Sequence, residues 1–130
     1  MSHKSSMRTP IARVRHLGSA HDGTDHFWKQ RVTSVALVPL TIVFVIIMAS
    51  LLGRPQATAT QIIGSPFVAI TLLIFIITGA HHMWLGMQVI IEDYVHGEDW
   101  KLSCLIANTF FCFTIAVASI FAILKISFGV

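Results

Sequence analysis

Three long blocks of this chain carry almost no charge, and each is long enough to cross a bilayer. They run from about 32 to 52, from 66 to 91 and from 102 to 128; only Lys125 interrupts the last. At 1.5 Å per residue each block spans the ~30 Å of hydrocarbon in a membrane. Three buried helices of a soluble bundle would each need a polar face, and none is visible. Over the whole chain 55% of residues are hydrophobic and only 12% are charged, too little polar surface for a soluble domain of this size. The expected fold is an all-α membrane protein of three transmembrane helices with a polar, partly disordered N-terminal segment.

The polar residues organise the chain around these blocks. Residues 1–31 form a basic segment and residues 32–130 the three-helix membrane domain. Residues 1–17 show little apolar periodicity and are expected to be disordered without a partner. Some thirty polar and charged residues precede the first block and no small-residue cleavage site follows it, so it reads as a mature span and not a cleaved signal. Six of the nine Lys and Arg (Lys4, Arg8, Arg13, Arg15, Lys29 and Arg31) precede the first block. The positive-inside rule then places the N-terminus in the cytoplasm, or in the matrix for a mitochondrial homologue, and after three crossings the C-terminus outside. A basic leader can also bind nucleic acid or lipid headgroups, but topogenesis and docking to a soluble partner explain it more simply. Nucleic acid is not an expected partner.

Phe27 and Trp28 stand at interface depth before the first block, and Thr24 or Asp25 is a candidate cap for a helix starting near His26. The first connection, 53–65, is nearly uncharged and carries the breakers Pro55, Gly64 and Pro66. The second, 92–101, is short and charged, with Tyr94 and Trp100 beside the interface. Cys104 and Cys112 are eight residues apart, ~12 Å along a helix, too far for a disulfide. No internal repeat, phosphate-binding loop, nucleotide fingerprint or cysteine-rich metal signature is present.

Ionisable residues inside a membrane are costly and are functional candidates by default. The second block holds two, His81 and His82, which leave a helix ~100° apart and cannot face one partner. Gly79 lies three residues before His82 and Gly86 four after it, near the same face. Two positions without side chains beside an imidazole offer the flat recess that a ligated haem needs. Asp93 follows His82 by eleven residues, returning to within ~20° of the same face about 16 Å further on. Asp93 and Tyr94 thus end the stripe with a carboxylate and a phenol at the interface. The simpler alternatives remain open at this point: a histidine hydrogen-bonded across a helix seam, glycines that only permit close packing, and an interfacial Tyr in an aromatic belt. No second mid-membrane imidazole stands on another span, so a bis-histidine haem would take its other ligand from another subunit.

The pattern His82, Gly86, Asp93-Tyr94 resembles the smaller, D-type hydrophobic membrane anchor subunit of succinate dehydrogenase, respiratory complex II. Gly18-Ser19-Ala20-His21, His26-Phe27, Gln30-Arg31 and Thr33 resemble the same family before its first span. The run Ile91-Glu92-Asp93-Tyr94-Val95-His96 is closest to alphaproteobacterial forms, and the resemblance extends from about Gly18 to the C-terminus. It implies partnership with a flavoprotein subunit, an iron–sulfur subunit and a second, C-type anchor subunit. It also implies a b haem shared by the two anchors and a site where ubiquinone is reduced. By position, His82 matches the haem ligand, with Gly79 and Gly86 beside it. Tyr94 matches the quinone-contacting tyrosine and Asp93 its acidic neighbour. Arg31 matches an arginine near the quinone and the haem propionates. Two other expectations compete: a haem-free, purely structural anchor, and a small oligomeric transporter or channel. A transporter normally spreads polar groups along a pathway, whereas here they gather on one face of one span.

Overall fold

The computed structural model describes Ile11 and residues 22–129 of the chain. Four of the topogenic cations, the segment 1–17 apart from Ile11, and Gly18-Ser19-Ala20-His21 lie outside the described residues. Among the described residues from 22 onward, four helices follow in order: α1 (Asp22–Leu51), α2 (Gln56–Gly64), α3 (Pro66–Tyr94) and α4 (Glu98–Phe128). No strand is present among the described residues. Helices α1, α3 and α4 are long and apolar enough to cross a membrane.

The helices overrun the apolar blocks. Helix α1 begins at Asp22, ahead of His26, so Thr24 and Asp25 lie in its first turn and do not cap it. An acidic residue is favoured at that end of the helix dipole, and Asp25 pairs with Lys29 one turn on at 3.5 Å. Pro39 lies inside α1 and withdraws one backbone donor, a defect that membrane helices tolerate.

The first connection is not a plain loop, because nine of its residues form α2. The breakers named from the sequence bound this helix instead of preventing it. Pro55 precedes its first turn in extended conformation, Ser65 is extended after Gly64, and Pro66 opens α3 where its missing N–H costs no hydrogen bond. The second connection shrinks to residues 95–97. Glu92, Asp93 and Tyr94 belong to the last turn of α3, and Glu98 and Asp99 to the first turn of α4, where the helix dipole favours them. Lys101 reaches back across the turn and donates to the Glu92 carbonyl at 3.0 Å.

Helix α3 is central, packed against α1 on one side and α4 on the other. The three spans converge where α1 ends, α3 begins and α4 ends. There Ile47, Ala69, Leu72 and Ile123 form a buried cluster. Phe44 and Phe75 stack near it at 4.6 Å. Gly64 lets α2 meet α4: a methyl group there would stand 3.1 Å from the Ile126 carbonyl oxygen. Beyond this end the α3–α4 seam stays closed around Leu85, Ile91, Asn108 and Cys112. Both cysteines are free. Much of the remaining apolar surface is exposed, including Val35, Val38, Ile42 and Val45 on α1 and Phe110, Phe113 and Phe121 on α4. Lipid chains or partner helices must cover such faces.

Candidate functional site

Helix α3 divides its two histidines between its two neighbours. His82 is half-buried and turns to α1; His81 is exposed and lies beside Trp84, with 5.8 Å between ring centres, in a groove that α4 completes. The ~100° between successive residues makes this separation unavoidable.

Thr33 of α1 holds His82. Its Oγ1 is 2.9 Å from His82 Nδ1, and it also lies 2.8 Å and 3.0 Å from the carbonyl oxygens of Lys29 and Gln30. A threonine hydroxyl carries one hydrogen. Donated to either carbonyl, it leaves the oxygen free to accept from Nδ1–H, and that tautomer places the imidazole lone pair on Nε2. Metal-bound histidines are fixed in the same way, with the far ring nitrogen donating to an oxygen.

Two clefts meet at this imidazole. The larger, about 610 Å³, runs along α1 past Leu37, Val38, Thr41 and Ile42, with Ser34 and His82 at its polar end. The smaller, about 280 Å³, is lined by Phe27, Gln30, Arg31, Ser34 and His82. One imidazole therefore sits between an apolar slot and a polar mouth that carries a guanidinium. Arg31 lies over the Phe27 ring at 5.1 Å, a cation–π contact that holds the side chain at the mouth. Among the described residues the one ion pair is Lys29–Asp25, so Arg31 and Asp93 do not pair.

The two glycines beside His82 differ. A methyl group at Gly86 would meet nothing within 4 Å, so the recess there is open. At Gly79 a methyl group would make ordinary contact with Leu37, whose Cδ2 would be 3.9 Å away. Both positions thus have room beside His82, and Gly86 is the more open of the two. Asp93 and Tyr94 are exposed at the end of α3, Tyr94 at 78%, and line neither cleft. Helices α1 and α3 run antiparallel, so Arg31, Asp93 and Tyr94 share one end of the bundle, with Phe27, Trp28 and Trp100.

Sequence reasoning gave Thr33 no chemical role, and it did not single out Ser34, Asn108 or Thr109. The signal was available: each is a polar group inside an otherwise apolar block, the same criterion that drew attention to His82. Asn108 is 8% exposed and donates from Nδ2 to the Trp84 carbonyl at 3.1 Å.

The fold and site define a three-span membrane protein with an imidazole held between two apolar helices and Arg31, Asp93 and Tyr94 at one end of the bundle. The family model for the succinate dehydrogenase/fumarate reductase transmembrane subunit matches residues 5–122. Among curated relatives, the succinate dehydrogenase hydrophobic membrane anchor subunit of Paracoccus denitrificans is 34% identical over 121 residues, covering 93% of each chain. That of Rickettsia bellii is 33% identical over 119 residues, covering 89% of this chain and 93% of its own. The succinate dehydrogenase membrane anchor subunit of Reclinomonas americana is 30% identical over 97 residues, covering 69% of this chain and 78% of its own. No solved structure matches this chain. The chain belongs to the succinate dehydrogenase/fumarate reductase transmembrane subunit family, and its role is that of a succinate dehydrogenase membrane anchor.

Proposed function

We propose that this chain, with a C-type anchor subunit, holds the flavoprotein and iron–sulfur subunits of succinate dehydrogenase on the membrane. On this reading it supplies His82 as one axial ligand of a shared b haem and forms part of the ubiquinone-reduction site. The observation that carries the haem assignment is the hydrogen bond that the Thr33 hydroxyl oxygen accepts from His82 Nδ1–H, beside an apolar slot and an open Gly86.

The residues present fit a haem. The slot is apolar where a macrocycle would lie, and the guanidinium of Arg31 stands at the mouth, where a propionate can meet its planar fork. When bound, the haem supplies a one-electron centre inside the bilayer. The protein contributes a ligand of fixed tautomer, a slot that excludes water and a cation at the polar edge.

Quinone reduction takes up two protons with two electrons, so its site must hold a carbonyl oxygen within reach of water. Tyr94 meets both conditions at the end of α3. Its hydroxyl can donate a hydrogen bond to a quinone carbonyl. Asp93 stands beside it on the aqueous side, where it can orient a donor or pass protons.

The test is the purified complex carrying His82→Leu or His81→Leu. Loss of the b-type reduced-minus-oxidised spectrum in the first variant and its retention in the second supports the assignment. The reverse moves the ligand to His81. A wild-type complex that contains the soluble flavin and iron–sulfur subunits but no b-type spectrum leaves a haem-free anchor.

A further inference from the structure

Trp84 stands two residues beyond His82, so the two side chains leave α3 about 160° apart. His82 reaches α1 through Thr33. Trp84 reaches α4, where its indole N–H donates to Thr109 Oγ1 at 3.1 Å. The Thr109 hydroxyl donates in turn to the Leu105 carbonyl at 2.9 Å, so its oxygen is free to accept from the indole. Asn108, one residue away on α4, donates from Nδ2 to the backbone carbonyl of Trp84 at 3.1 Å. Its Oδ1 accepts from Cys112 Sγ at 3.3 Å, which completes the bonding of a buried amide.

Within one turn, α3 is therefore gripped from both sides by directional bonds. Such bonds matter more here than in a soluble core. Lipid chains are as apolar as Leu and Ile, so burial alone does not select one roll of a membrane helix about its axis. A bond from α4 to a backbone carbonyl of α3 does select one, because the backbone cannot swing away as a side chain can. The consequence for His82 is direct. A 10° roll of α3 carries an imidazole nitrogen roughly 1 Å sideways. Metal–ligand distances hold to about 0.2 Å.

We propose that Asn108 is a positioning residue for His82: through the Trp84 carbonyl, and with the Trp84–Thr109 bond, it sets the roll of α3 that aims the imidazole. This inference rests on the reading of His82 as a haem ligand. A purely structural Asn108 would hold α4 on α3 without affecting how the imidazole meets the iron.

The experiment uses the intact complex in native membranes with Asn108→Leu, Thr109→Val, Cys112→Ala and His82→Leu. Haem content, the low-spin g values and the haem midpoint potential are measured for each. The expected result is an Asn108→Leu complex with wild-type haem content but displaced g values and potential. Thr109→Val, which removes one hydroxyl, should shift both in the same direction by less, and Cys112→Ala should match wild type. Native g values and potential in Asn108→Leu overturn the proposal. So does a loss of assembly and haem in parallel, with the remaining haem spectroscopically native. Where Asn108→Leu does not accumulate, Thr109→Val decides by the same criterion: displaced values support the proposal and native values overturn it. A b-type spectrum that survives His82→Leu overturns the ligand assignment and the positioning role with it. A spectrum that needs His82 but ignores Asn108 overturns the positioning role alone.

Discussion

Tyr94 and Arg31 each have an ordinary interfacial explanation, and conservative substitutions separate it from the proposed role. An exposed Tyr at the end of a span can serve simply as part of an aromatic belt with Trp100. Tyr94→Phe keeps the ring and removes only the hydroxyl. We expect assembly and succinate oxidation with a soluble dye to survive, while succinate–quinone activity falls at least several-fold. A hydrogen bond worth ~1 kcal/mol net, strengthened as negative charge develops on the quinone oxygen, accounts for a loss of that size. Native quinone activity would leave Tyr94 as an interface anchor. For Arg31 the ordinary explanation is a topogenic charge that snorkels to headgroups, with its guanidinium over the Phe27 ring. Arg31→Lys keeps the charge and removes the planar fork. Lower quinone reduction in that variant is the expected outcome; an unchanged rate would sink the specific role.

At the scale of helices, glycine substitutions distinguish packing from an open recess. Gly64 faces the backbone of α4, which cannot move aside as a side chain can. Gly64→Leu should lower the thermal stability of the assembled complex, with the ~1–3 kcal/mol typical of overpacking. Gly86 faces open space, so Gly86→Leu should insert and assemble normally while displacing haem. Equal behaviour of the two variants would remove the contrast on which the recess rests. These two positions also show what could be read from sequence. The three spans were legible because hydrocarbon thickness sets a minimum length that few other folds demand. Helix α2 was not: nine residues between prolines carry too little apolar pattern to distinguish a helix from a loop. The helix ends were misjudged because Glu92 and Glu98 read as loop charges and Asp25 as a cap, whereas the helix dipole favours Asp25 and Glu98 within a first turn. His82 and Arg31 were legible as candidates by cost and position. Thr33 was not recognised as the partner of His82, because only antiparallel packing of α1 on α3 brings residues 49 apart in sequence together.

Orientation is a property of the whole molecule, and the structure groups the features that bear on it. Contact of Thr33 with His82, and of Ile47 with Ala69 and Leu72, sets α1 and α3 antiparallel. The start of α1 and the turn between α3 and α4 therefore lie at one end. Lys29, Arg31 and Lys101 stand at that end, against Arg54 and Lys125 at the other, and four further Lys and Arg precede Lys29 in the sequence. Insertion counts Lys and Arg and largely ignores the acidic residues of the turn, so this end should be cytoplasmic. The proposed chemistry makes the same demand. Arg31, Asp93 and Tyr94 stand at this end, where they can meet a soluble electron-delivering subunit and take protons from the cytoplasm. A reporter that is active only in the cytoplasm should therefore work after Gly97 and fail after the last residue. A reporter that is active only in the periplasm should give the opposite pattern. Cytoplasmic activity at the C-terminus, with none after Gly97, would invert the topology. It would also place Tyr94 on the far side of the membrane from the subunits it is proposed to serve, ending the quinone assignment together with the orientation.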